Sequence, residues 1–192
     1  VGDGLVMLRY TPQKVGLTER VGLSVGLGLQ VPIGDDDQTD IVTLAEDMQP
    51  STGAWGTVLW GHASRSFRQD AKAQVYSTFT YRRAGENDRD YRFGDAWSLA
   101  AGTSYQTDSR WSFSGQLKYR TSKRNERNGE RIPNTGGEWL DFEPSAQFAI
   151  NDNLAAQLTA RLPVWRDLND ALQFTTSYAV TFSMSYVLYP TE

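Results

Sequence analysis

The sequence predicts an all-β fold, an antiparallel up-and-down transmembrane β-barrel, and three observations carry that prediction. Nine short stretches alternate between apolar and polar or small residues with period two, the period at which strand side chains switch faces. The segments between them alternate between long and short. Tyr and Trp gather at both ends of the apolar faces. A soluble β-sandwich also alternates, but nothing in it requires the second and third features.

The first strand, Leu5 to Thr11, sets Val6, Leu8 and Tyr10 against Met7, Arg9 and Thr11. The second, Arg20 to Ile33, is the clearest. Val21, Leu23, Val25, Leu27, Leu29, Val31 and Ile33 share one face, while Gly22, Ser24, Gly26, Gly28, Gln30 and Pro32 share the other. One side suits lipid and the other suits water. The third, Ala54 to Ala63, is ambiguous, because Trp55 and Leu59 oppose Val58 and Trp60. The fourth, Ala73 to Tyr81, sets Ala73, Val75, Phe79 and Tyr81 against Gln74, Tyr76, Thr78 and Thr80. The fifth puts Trp97, Leu99, Ala101 and Tyr105 opposite Ser98, Ala100, Gly102 and Ser104. The sixth puts Trp111, Phe113, Leu117 and Tyr119 opposite Ser112, Ser114, Gln116, Lys118 and Arg120. The seventh has Leu140, Phe142, Ala146 and Phe148 against Asp141, Glu143, Ser145 and Gln147. The eighth has Leu154, Ala156, Leu158, Ala160 and Leu162 against Gln157, Thr159 and Arg161. The ninth has Tyr178, Val180, Phe182, Met184, Tyr186 and Leu188 against Ser177, Thr181, Ser183 and Ser185.

Outer-membrane barrels have short periplasmic turns and longer extracellular loops. Gln106 to Arg110 and Asn151-Asp152-Asn153 are short and are read as periplasmic. Gly34 to Gly53, Arg83 to Gly94 and Ser122 to Gly137 are long and are read as extracellular. This topology puts Tyr10, Tyr105, Trp111 and Tyr186 at the periplasmic interface and Tyr81, Trp97, Tyr119 and Tyr178 at the outer one. Composition is compatible. Hydrophobic residues make up 39% and aromatics 12% of the 192 residues, as expected for a wall with one wet face. No apolar run approaches the roughly 20 residues of a membrane helix. Cysteine is absent, which removes disulfides and thiolate metal sites. The net charge of -4 gives no electrostatic case for nucleic acid.

Residues 1–192 are read as a single transmembrane β-barrel domain. The topology starts the first strand outside, whereas bacterial barrels normally have an even strand number and both termini in the periplasm. An odd number of strands should therefore precede Val1. The chain is expected to be the C-terminal part of a barrel of about twelve strands, or about ten, unless the ambiguous third strand has been miscounted.

Three short motifs carry a family resemblance: Gly2-Asp3-Gly4-Leu5, Gly28-Leu29-Gln30-Val31-Pro32-Ile33-Gly34 and Gln49-Pro50-Ser51-Thr52-Gly53. Together they resemble the outer-membrane proteins of the "MetA pathway of phenol degradation" family. The resemblance implies a small barrel in the bacterial outer membrane, related in kind to hydrophobic-substrate channels, and brings no catalytic residues with it. It implies passive uptake of small hydrophobic or aromatic molecules. One departure is the end of the chain, Tyr189-Pro190-Thr191-Glu192, where barrels of this kind usually end on an aromatic residue.

Charge on the polar faces concentrates in the sixth to eighth strands. Antiparallel pairing is expected to bring Arg120 near Asp141 and Lys118 near Glu143, with Arg161 beyond the acids. These five residues either neutralise and stiffen one wall or form a constriction that selects permeants by charge. The second, fifth and ninth strands offer small inward residues, which leave room for a channel or for a plug or partner chain. Asp35, Asp36, Asp37 and Asp40, with Glu46 and Asp47, make the loop after the second strand acidic. Clustered carboxylates suit Ca²⁺, but the spacing is not that of an EF-hand, and a solvated acidic loop is the simpler reading. Lys123, Arg124, Arg127 and Arg131 alternate with Glu126 and Glu130 in what reads as a flexible mixed-charge surface, able at most to touch lipopolysaccharide phosphate. His62 and Ser64 share a strand face, as in a barrel-wall phospholipase. No Asn-Gly follows the serine, however, and the pair is expected at the periplasmic rim, so a hydrolase ranks third after the channel and the plugged barrel. No cofactor is expected. Expected partners are the lipid bilayer, lipopolysaccharide, a small permeant and a plug or protein in the lumen.

Overall fold

A computed structural model describes residues 2–12, 21–38, 46–67, 72–170, 173 and 175–187. The described strands are β1 (Gly4–Tyr10), β2 (Val21–Val31), β3 (Gly56–Ser66), β4 (Ala73–Ala84), β5 (Tyr91–Arg92), β6 (Ala96–Gln106), β7 (Trp111–Ser122), β8 (Glu126–Arg127), β9 (Glu130–Arg131), β10 (Gly137–Ala149), β11 (Leu154–Leu168) and β12 (Ala179–Tyr186). Nine of them form one antiparallel meander in the order β1-β2-β3-β4-β6-β7-β10-β11-β12, so every expected strand exists and pairs with its chain neighbour. The sheet is not closed: among the described residues β1 and β12 are its two edges.

The meander has an inside-out apolar pattern. Leu27, Leu99, Leu117, Phe142 and Phe182 lie exposed on the outward face, whereas Ser24 and Glu143 are buried on the inward one. Among the described residues no large side chain is fully buried. In water such a sheet would expose far more contiguous apolar surface than soluble domains tolerate. Against lipid it is the expected wall. From Trp111 to Tyr119 on β7 the chain advances about 27 Å at about 3.4 Å per residue, or about 20 Å along the membrane normal at a 40° tilt, close to the apolar band of such barrels.

Both aromatic girdles are present. Trp97 and Tyr119 lie with ring centroids 5.2 Å apart at the long-loop end. The Tyr119 hydroxyl donates to Glu138 at 2.6 Å and that of Tyr81 to Asp95 at 3.4 Å, so each ring faces lipid while its oxygen reaches the polar zone. At the short-turn end Trp111 packs on Phe148 at 4.9 Å. The turns there are held by side chains. Asn151 Oδ1 accepts from the backbone N–H of Asn153 and Leu154 at 2.9 and 2.8 Å, and Thr107 Oγ1 donates to the Trp111 carbonyl at 2.7 Å.

Three details differ from expectation. β3 is not ambiguous: Trp55 and Leu59 face out with Leu27 opposite Leu59, while Val58, Trp60 and His62 face in. Its aromatics face inward because they stack on one another, Trp60 on His62 at 5.9 Å and His62 on Tyr76 at 6.2 Å. β11 continues to Leu168, since a bulge lets Leu162 pair with Phe142 and Trp165 with Leu140, which breaks the alternation between them. The segment after β7 is not a flexible surface. Its Asn128-Gly129 pair has positive φ at both residues (52° and 76°) and turns β8 into β9, which joins β5 in a small three-stranded sheet. Positive φ at both central residues is the turn that closes two-residue hairpins, and the glycine adopts it without steric cost.

Candidate functional site: the inward face and its long-loop mouth

The inward face carries the charges that the sequence singles out, in a register one pair away from the expected one. Trp139 stands opposite Arg120, Asp141 opposite Lys118 and Glu143 opposite Gln116. The expected Arg120–Asp141 and Lys118–Glu143 pairs are therefore diagonal neighbours. Two interactions accompany this register: the Arg120 guanidinium lies over the Trp139 ring at 3.9 Å, and Gln116 Nε2 donates to Glu143 at 2.6 Å. Arg161 sits beyond the acids and donates from Nε to Glu143 at 2.8 Å. Glu143 and Arg161 meet where the β10–β11 ladder is interrupted, between the pairs Phe142–Leu162 and Ser145–Thr159. The interruption is at Pro144, which has no N–H to give. The acid is thus satisfied by one cation and one amide, whereas among the described residues no carboxylate lies within ion-pair distance of Arg82 or Arg120.

His62 lies inside the wall, not at its rim, because β3 runs on to Ser66. Its Nδ1 hydrogen-bonds Thr78 Oγ1 at 2.9 Å, and among the described residues it makes no hydrogen bond to Ser64. Arg9 crosses from β1 to Ser24 Oγ at 3.0 Å and lies over Trp60 at 5.1 Å. The lower inward face therefore groups aromatic rings and hydroxyls around His62, whose described hydrogen bond goes to Thr78.

Above β4, β7 and β10 the long loops form a folded cap. Glu46, only 7% exposed, receives Arg89 at 2.7 Å, Arg127 at 3.2 Å and the Asn87 amide at 3.3 Å. The acidic loop is in this part an anchor and not a solvated run. Asp36 turns to Arg89 at 3.4 Å, while Asp35 and Asp37 are exposed and Asp40 lies outside the described residues. Among the described residues no three His, Asp or Glu converge as a metal site. Arg124 pairs with Asp170 at 3.1 Å and Arg92 with Glu126 at 2.6 Å, so most of the mixed charges are spent within the cap. Between cap and wall is a cavity of about 660 Å³. Its lining includes Arg82, Arg120, Trp139, Tyr91 and Phe93.

The three Gly/Pro motifs converge beside the cap. Asp3 of the first accepts from Gln30 Nε2 of the second at 2.6 Å, from Thr52 N and Oγ1 of the third at 3.1 and 2.6 Å, and from Ser51 Oγ. Burial pushes the Asp3 carboxyl upward, but these hydrogen bonds outweigh it and hold the group below its ordinary value. Sequence reasoning found the motifs but not that they form one cluster. The signal available was that each combines a turn residue with hydrogen-bonding side chains at the same end of neighbouring strands.

Similarity to known proteins agrees with this architecture. Solved structures that match include two at 10% identity, both of OmpT, an outer membrane protein of Vibrio cholerae. One is a mutant lacking loop L8 (TM-score 0.56) and the other the in-vitro folded protein (TM-score 0.54). Each match covers 96% of this chain, which spans 53% and 56% of the two OmpT chains. Among curated proteins none matches. The likeness establishes the fold, an outer-membrane β-barrel fold, and the lipid-facing belt with its two girdles fits the same location. A family model described as "Putative MetA-pathway of phenol degradation" matches residues 3–182, nearly the whole sheet, and the chain belongs to that family.

Proposed function

We propose that the protein is a passive outer-membrane channel for small molecules, hydrophobic or aromatic ones among them. The observation that carries this reading is the inward face. Ser98, Gly102, Ser104, Ser112, Ser114, Gln116 and Gln157 line successive strands there, opposite an apolar outside. A sheet whose polar side buries only isolated apolar side chains among the described residues, such as Val58, Ala100 and Trp139, suits a border with water, and small side chains leave that water room. Lys118, Arg120, Asp141, Glu143 and Arg161 are then the charged part of the path, where permeants meet fixed charge at close range.

Incorporation of the full-length protein into liposomes tests the reading. Uptake of a small neutral sugar, followed by osmotic swelling, should rise above that of empty vesicles and scale with the protein added. No increase over empty vesicles overturns the channel reading.

A further inference from the structure

We infer that the cavity between the loop cap and the wall is a binding site for small aromatic carboxylates. This deepens the channel reading and rests on it only in placing the site on a path for solutes. The cavity, about 660 Å³, is of the size that takes a small organic molecule. Its walls combine two chemistries. The Arg120 guanidinium lies over the Trp139 ring at 3.9 Å, and among the described residues it has no carboxylate within ion-pair distance. Arg82 is the second such guanidinium, two strands away, with only Ala96 and Ser98 on the inward face of β6 between them. Small residues at that point leave the space between the two cations unfilled. The charge of Arg127, the third arginine of the cavity, is taken by Glu46. The cap adds aromatic surface, Tyr91 against Phe93 edge-on at 5.0 Å. A guanidinium without a carboxylate partner suits bidentate carboxylate binding, and an aromatic wall suits a flat ring attached to that carboxylate.

Benzoate, with benzyl alcohol as its neutral analogue, tests the assignment on the full-length protein in detergent, read by tryptophan fluorescence or calorimetry. Saturable benzoate binding is expected, at least tenfold tighter than that of benzyl alcohol. Arg120→Gln and Arg82→Gln should each weaken benzoate about tenfold and leave benzyl alcohol unchanged. Should a variant fail to fold, the unaltered protein gives the same answer: benzoate affinity should fall as NaCl rises, and that of benzyl alcohol should not. Equal binding of the two probes, indifference to salt, or indifference to both substitutions overturns the site. Sugar flux in liposomes is measured separately, on the unaltered protein and without benzoate. Flux without benzoate binding removes the site and keeps the channel; benzoate binding without flux does the reverse.

Discussion

Asp3 and Glu46 show how single carboxylates join segments that are distant in the chain. Asp3 takes hydrogen bonds from Gln30, Ser51 and Thr52, so it ties the start of β1 to the end of β2 and to the segment entering β3. Its folded pKa is depressed, so the stability it adds is present above the ordinary carboxylate value of about 3.9 and is lost as pH falls through the folded value. Asp3→Asn keeps the size but offers an amide to groups that are themselves donors. We expect it to cost about 1–2 kcal/mol, in the lower part of the range for charged hydrogen bonds because the site is half-exposed. Protection of the Thr52 amide from exchange should drop in the variant at pH 7, and its remaining acid dependence below pH 4 should flatten. Unchanged protection would remove Asp3 as the tie. Glu46→Gln is expected to loosen the cap by a similar amount, about 1–2 kcal/mol, because it leaves Arg127 without its counter-charge and Arg89 with only Asp36, while both arginines keep some solvent. Faster proteolysis within the loop that carries Arg89 would report it.

At the scale of the strand, the two faces obey different solvents, and substitutions should sort accordingly. Leu117 is exposed at mid-strand on the outward face of β7, and Gln116 beside it faces inward. Leu117→Arg is expected to destabilise the folded protein in lipid vesicles by about 2–4 kcal/mol, and Gln116→Arg by much less. Urea unfolding in vesicles compares them, and equal losses would contradict the lipid-facing assignment. The same division explains which elements are legible in the sequence. β2, β6 and β7 alternate cleanly because each side meets one solvent along its length. β3 resists reading because its inward side holds Trp60 and His62, which stack on each other and on Tyr76 inside the wall, so apolar character no longer distinguishes lipid from lumen. β11 reads too short because a bulge near Pro163 resets its parity. The charged residues of β7 and β10 are legible as a group, but their register is not, since a shift of one pair preserves the inward face and only the contact of Arg120 with Trp139 and that of Gln116 with Glu143 mark the difference. The cap hairpin was signalled by Asn128-Gly129, a stronger cue than the charge pattern around it.

For the whole molecule, net charge conceals how the charges divide between the strand faces and the loops. The chain is acidic at -4. Yet on the inward strand faces among the described residues, Arg9, Arg82, Lys118, Arg120, Arg161 and Arg166 face only Asp141 and Glu143. Most of the acids are instead in the loops, where Glu46, Asp36, Glu126 and Asp170 hold the cap together through arginines. A solute inside the wall therefore meets mainly cations, in a setting where low-dielectric walls concentrate the field. If the protein conducts, its conductance should favour anions. In planar bilayers under a KCl gradient the reversal potential should have the sign set by chloride, and Arg120→Glu should move it toward the potassium side. The preference should fade as salt approaches 1 M, where the screening length falls to about 3 Å. A channel that favours potassium at low salt would mean that residues outside the described faces set the field, and the arginines of the wall would then be structural partners rather than selectors.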